Sequence, residues 1–154
     1  MFDPTAFDNL KVVLEGAIYE EDLLGRIQVV NRQDLIDLAS LNRTYRIEVL
    51  YASIRLTITL SSSLELLSNE ILEVNGPTGI YLTIQYHSPN HMAHIVEERI
   101  VHNWSTRKFT KKICIENQNT EVTWSYSFKE IIEEHMSDEL INIFHFSLEA
   151  VKIS

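Results

Sequence analysis

Four of the six histidines of this 154-residue chain lie within sixteen consecutive residues, at positions 87 to 102. Zinc prefers neutral imidazole nitrogens or carboxylate oxygens from three or four converging side chains. His87, His91 and His94 are separated by four and three residues, but the proline in Ser88–Asn90 predicts a break in any helix there. The three imidazoles would have to converge from a strand end, a turn and the following strand. They form our candidate metal site, with zinc as the cofactor.

A second interpretation of these histidines needs no metal. His87 falls on the polar side of an alternating stretch, opposite Ile84 and Tyr86, so we expect it on the solvent-facing side of a strand. His91 and His94 then lie in and after the turn. In this interpretation the histidines are solvent-facing residues around a hairpin. We favour it over the alternatives, which are a metal-binding domain and a metal-dependent enzyme.

Other kinds of catalysis find little support in the sequence. Glu97 and Glu98 are adjacent on a predicted strand at 93–104, so their carboxylates should point to opposite faces and not act as a pair. Cys114 is the only cysteine, which excludes an intrachain disulfide, and its flanking isoleucines predict an ordinary strand position. A Gly-x-Ser-x-Gly motif and a glycine-rich phosphate loop are both absent. We predict no catalytic residue and expect the protein not to be an enzyme.

Aromatic residues near the histidines suggest a third possibility. A curved antiparallel sheet with helices on one face often encloses an apolar pocket for a small ligand. Tyr86, Trp104, Trp124 and Tyr126 are the predicted lining of such a pocket. The alternative is that these four side chains belong to the core.

Charge and hydropathy restrict the partners. With a formal charge of −9, the chain would have to concentrate its few cations on one face to bind nucleic acid or an anionic membrane. The basic run 107–112 leads directly into a predicted strand, and we expect it on an exposed strand edge. No apolar run approaches the roughly 20 residues of a membrane helix, and residues 1–4 do not resemble a secretory signal. We expect a cytoplasmic protein that binds neither nucleic acid nor membrane.

Hydrophobic spacing predicts an α+β fold in a single domain, 1–154. An N-terminal helix is expected to be capped by Asp3, with Pro4 at its first position, and to end near Gly16. A strand at 26–30 and a short helix capped by Asn31 should follow. Another helix is expected after the capping-box pattern that begins at 62. Clean alternation elsewhere predicts an antiparallel sheet of six or seven strands with helices on one face, its further strands at 45–50, 54–60, 80–87, 93–104, 108–116 and around 122–128.

A long C-terminal helix is capped by Ser137 in this prediction. Leu140, Phe144 and Leu148 form its buried stripe, while Ile143 and Phe146 fall outside it. An apolar surface of this width predicts that the helix contacts a second surface as well as the sheet, and a homodimer is the commonest such contact. The alternative is that the helix lies in a groove and is covered on two sides. The favoured function is a non-enzymatic interaction or regulatory protein that self-associates and offers an acidic surface to a protein partner.

Overall fold

Six strands and four α-helices make up the chain in the computed structural model, which describes residues 5–152. Their bounds in chain order are α1 Ala6–Leu23, β1 Gln28–Asp37, β2 Asn42–Tyr51, β3 Ile54–Ser62, α2 Leu64–Ile71, β4 Tyr81–Pro89, α3 Asn90–Asn103, β5 Thr110–Glu116, β6 Asn119–Ser127, a 3-10 helix Glu134–Met136, and α4 Ser137–Glu149. None of the described helices is both long and apolar enough to cross a membrane.

The strands form one open antiparallel sheet in the order β1-β2-β3-β4-β6-β5. The helices pack on one face, and the inward side chains of the four inner strands are buried beneath them. The other face carries polar side chains and no helix; we call it the open face. The predicted α+β class, the antiparallel sheet and its helix-covered face are confirmed.

Helix α1 begins at Ala6, with Thr5 as its N-cap and Asp8 completing a capping box. The predicted cap residues, Asp3 and Pro4, lie outside the described residues. The prediction that the helix ends near Gly16 is wrong, because α1 continues to Leu23. A glycine inside a helix costs about 1 kcal/mol relative to alanine. Burial of Ile18 two residues later offsets that cost.

The short helix predicted from Asn31 is also wrong. The segment is the second half of β1, paired residue by residue with β2 after a bulge between Val29 and Asn31. Its leucines have helical spacing, but pairing with β2 satisfies the backbone groups that face that strand. Asp34 is held on the helix side by Lys11 at 2.7 Å and by Arg43 at 2.9 Å. Tertiary contacts therefore override local propensity.

The strand predicted at 93–104 is helix α3 in the structure. Pro89 precedes the helix, where its missing N–H interrupts no helical hydrogen bond, so it marks the start of α3 and does not break it. Val96 and Ile100, four residues apart, are the buried positions of α3. Glu97 and Glu98 thus lie on one helix and not on opposite faces of a strand.

Ser137 is the first residue of helix α4 and not its cap, because the 3-10 helix runs directly into it and places Met136 at the cap position. Helix α4 contacts both α1 and the C-terminal end of α3. Ile143 is partly buried against the core, and the ring of Phe146 meets that of Trp104 edge-on at a centroid distance of 4.6 Å. The apolar residues outside the main stripe therefore have partners within the chain. Phe146 nevertheless stays 40% exposed, and the homodimer expected through this helix stays a prediction.

Candidate functional site

The three histidines of the candidate metal site lie on two different layers. His87 is on β4 and faces the open side of the sheet, whereas His91 and His94 are exposed on α3, which covers the other side. Among residues 5–152, no three His, Cys, Asp or Glu side chains are grouped closely enough to hold a metal ion. The structure thus does not bring His87, His91 and His94 together, because the segment after Asn90 is a helix and not a returning strand.

The four aromatic residues of the predicted pocket do lie close together, but as core. Trp104 and Tyr126 stack at 5.5 Å between ring centroids, and Tyr86 meets Tyr126 edge-on at 6.3 Å. The Trp104 indole N–H donates to the Tyr86 hydroxyl at 3.0 Å, and that hydroxyl donates to the Ser147 carbonyl at 2.8 Å. Burial raises the pKa of Tyr126 to about 12. These contacts fill the space that a ligand would need.

The surface cavities among the described residues are lined by side chains other than these four aromatics. Five of them, of about 300 to 580 Å³, are lined by none of the four aromatics. The smallest of these five lies between the β1–β2 hairpin and α2, and Ile36, Leu41 and Leu64 line it with mostly apolar surface.

His87 is the centre of a hydrogen-bonded cluster that crosses three strands of the open face. Its Nε2 lies 3.1 Å from Oγ1 of Thr57 on β3, and its Nδ1 lies 2.9 Å from Oγ1 of Thr123 on β6. The Glu121 carboxylate is 3.8 Å from Nδ1 and pairs with Arg55 at 3.0 Å. Although no helix covers this face, the imidazole side chain is only 12% exposed.

The cluster favours a neutral imidazole. Burial lowers the pKa of His87, the nearby Arg55 guanidinium lowers it further, and Glu121 opposes both. Each threonine hydroxyl is able to donate or accept, so either tautomer of the neutral ring is fully hydrogen-bonded.

A neutral imidazole beside a hydroxyl resembles the base and nucleophile of covalent catalysis. Two observations argue against that chemistry here. Thr57 is only 1% exposed, so a substrate cannot reach its hydroxyl. Thr123 hydrogen-bonds to Nδ1, so the Glu121 carboxylate at 3.8 Å does not orient the ring. The cluster ties three strands together, and its geometry does not match that of a catalytic base and nucleophile.

Sequence reasoning missed both threonines of this cluster. His87 was correctly placed on the polar side of its strand, but its hydrogen-bond partners are 30 and 36 residues away in the chain. They become neighbours only through the registers of β3 with β4 and of β4 with β6. Alternation in each strand showed that Thr57 and Thr123 face the polar side, which was the one available signal.

Acidic residues are unevenly distributed between the two layers. The helices contain thirteen Asp and Glu residues against only two basic ones, Lys11 and Arg99. The six strands contain five acidic and six basic residues. The net charge of −9 is therefore carried by the helices, which we call the acidic helical layer.

The C-terminal ends of α1 and α4 concentrate this charge. Glu20, Glu21 and Asp22 lie in the last turn of α1, Glu149 ends α4, and neither last turn contains a basic residue. The negative end of a helix dipole disfavours anions by about 0.3–1 kcal/mol each. The two ends border a shared open cleft of about 520 Å³, whose lining also includes Arg26, paired with Glu21 at 3.2 Å, and Lys152.

Comparison with known proteins found no match to this chain, whether a family model, a curated protein or a solved structure. Function is therefore inferred from the chemistry of the described side chains.

Proposed function

We propose that the protein is a non-enzymatic, cytosolic interaction or regulatory protein, which self-associates and offers its acidic helical layer to a basic protein partner. The observation that carries the proposal is the separation of charge between the layers. A field of one sign over one surface attracts an oppositely charged partner and speeds its encounter.

The ends of α1 and α4 are the expected centre of the docking surface. Glu20 and Glu149 are exposed, and neither has an ion pair within residues 5–152. Both occupy positions where the helix dipole favours a cation, so they reduce stability. An acidic residue at the negative end of a helix dipole, with no ion pair to compensate for it, is typical of a functional surface.

Two further observations support a protein without catalysis in a reducing compartment. Of the two hydroxyls beside the imidazole, that of Thr57 is buried and out of reach of a substrate. That of Thr123 is partly exposed, but the opposite ring nitrogen contacts Thr57 and not a carboxylate that could orient the ring. Cys114 is exposed as a free thiol, which suits the reducing conditions of the cytosol.

The test is affinity capture at low salt from the host lysate, with wild type and the double variant Glu20→Lys/Glu149→Lys. Lysine at these two helix ends interacts favourably with the dipole, so the variant should unfold at the same or a higher urea concentration than wild type. We expect it nevertheless to lose the basic partner that wild type recovers.

The matched control is Glu48→Lys/Glu73→Lys, which changes the net charge by the same amount but lies outside the helices. It should retain the partner. Equal loss from both variants would show a non-specific charge effect, and no recovery by wild type would contradict the proposed interaction.

A further inference from the structure

The outer strand β5 leaves one edge of the sheet open. All seven of its residues are exposed, and its register with β6 runs from Thr110 to Glu116 without a bulge. Ile113 and Ile115 are 57% and 73% exposed on the helix side. Natural proteins usually protect such an edge with charged side chains, proline, a bulge or a covering element, because an unprotected edge pairs with another strand. Of these devices β5 has charged side chains, and Lys111 among them is held by Glu97. The other edge strand, β1, has both a bulge and ion pairs to α1.

The backbone groups that β5 turns outward follow from the alternation of an antiparallel ladder. The Phe128 N–H donates to the Leu82 carbonyl at 2.9 Å, which fixes the hydrogen-bonded positions between β4 and β6. Alternation along β6 then directs the peptide groups of Lys112 and Cys114 toward β6. The peptide groups of Lys111, Ile113 and Ile115 therefore point away from the sheet.

The side chains of β5 are arranged symmetrically about Cys114. Lys112 and Glu116 lie two residues on either side of it, on the open face, and are of opposite charge. Neither has an ion pair within residues 5–152, whereas Lys111 is held by Glu97 at 2.9 Å. Ile113 and Ile115 flank Cys114 on the other face. A two-fold axis through Cys114 would exchange each member of these pairs.

We propose that β5 pairs antiparallel with β5 of a second copy about a two-fold axis at Cys114, which joins two sheets into one of twelve strands. In this register Lys112 lies opposite the partner's Glu116, and Ile113 lies opposite the partner's Ile115. The outward peptide groups of Ile113 and Ile115 meet each other as a hydrogen-bonded pair, as the ladder requires. The proposal rests on the proposed self-association and names its surface.

Neighbouring registers that keep the same outward groups are less favourable. An axis at Lys112 places the two ammonium groups opposite each other, and like charges directly opposite destabilise a strand pair. An axis at Ile113 places Lys112 opposite Cys114 and leaves its charge without a carboxylate. Only the axis at Cys114 pairs both free charges and both isoleucines.

Charge reversal tests this register. Lys112→Glu alone and Glu116→Lys alone each place like charges opposite each other twice per dimer, and we expect each to weaken the dimer about tenfold or more in sedimentation experiments over a wide concentration range. The double variant Lys112→Glu/Glu116→Lys restores both ion pairs and should return the dissociation constant to within about threefold of wild type.

Cys114 provides an independent readout. Residues directly opposite at a non-hydrogen-bonded position have Cα atoms about 4.5 Å apart, within the range of a disulfide. Diamide, which takes up the two electrons and two protons of the paired thiols, should convert wild type to a covalent dimer. The control Thr110→Cys/Cys114→Ser keeps one thiol on the same strand and face, but its two copies would lie about 27 Å apart. It should stay monomeric on a denaturing gel.

The outcomes separate this inference from the proposed function. A wild-type chain that is monomeric at every concentration and forms no covalent dimer overturns self-association and the β5 pairing together, while capture of a basic partner tests the acidic helical layer separately. A dimer that ignores both single reversals, or a control thiol that crosslinks as fast as Cys114, overturns only the β5 pairing and assigns this edge to another occupant.

Discussion

Tyr86 and His87 are adjacent on β4 and point to opposite faces of the sheet, where different elements provide their hydrogen bonds. Tyr86 points into the helix-covered face, where its hydroxyl joins α3 to α4 through Trp104 and Ser147. His87 points to the open face, where its ring joins β3 to β6 through Thr57 and Thr123. One side chain is satisfied by helices and the other by neighbouring strands. On each face, a polar side chain at the centre of this sheet therefore connects two neighbouring elements through its hydrogen bonds.

The largest expected effect is on the helix-covered face. Tyr86→Phe removes a hydroxyl that satisfies two buried groups, and each orphaned group costs about 1–3 kcal/mol. We expect the free energy of unfolding in urea to fall by about 3 kcal/mol.

Tyr126→Phe is the matched control for this prediction. The Tyr126 hydroxyl is buried and has no hydrogen-bond partner among residues 5–152. Its removal should change stability by less than about 0.5 kcal/mol or increase it. Equal losses from the two variants would show that the ring contacts, and not the Tyr86 hydrogen bonds, join the helices.

The open face should give the protein a pH dependence. Burial and then Arg55 lower the pKa of His87 in the folded chain. The unfolded chain, in which the pKa of histidine is about 6.5, therefore binds the proton first. Stability is fully present above about pH 6.5 and falls on acidification, with a slope of at most about 1.4 kcal/mol per pH unit from this one group.

The measurement is urea unfolding of wild type and His87→Gln from about pH 7.5 to about pH 5.5. The stability difference between the two proteins should move in favour of the variant as the pH falls. The exposed His94→Gln serves as the control that leaves His87 in place. A constant difference between wild type and His87→Gln would contradict the prediction.

The smallest effect is expected from one hydroxyl of the open face. Thr57→Val keeps the shape of the side chain but leaves Nε2 of His87 without its partner, which should cost about 1 kcal/mol in urea unfolding. Thr59→Val, two residues along the same face of β3, is the control and should be nearly neutral. If both substitutions are neutral, the stability of the open face does not depend on the His87 cluster.

Most of the sheet could be predicted from the sequence, because alternation reports directly on a half-buried strand. The strands β2, β3, β4 and β6 lie close to their predicted positions. A turn with positive φ angles at Asn117 and Gln118 joins β5 to β6. The prediction failed at β1 and α3. Leucines at helical spacing predicted a helix where the chain pairs with β2 as strand β1. In α3 the four-residue spacing of Val96 and Ile100 already indicated a helix, which the prediction did not include.

Sequence alone determined the α+β class, the polar and apolar faces of β3, β4 and β6, and the net acidic charge, because these depend on residue types and on periodicity along the chain. Tertiary structure decided which layer carries that charge, which residues meet His87, and that Tyr86, Trp104, Trp124 and Tyr126 are core and not a pocket. Those outcomes depend on strand register and helix placement, which are set by contacts between residues far apart in the chain. The open edge at β5 was likewise decided by tertiary structure, since the order of strands in the sheet determines which strand is outermost.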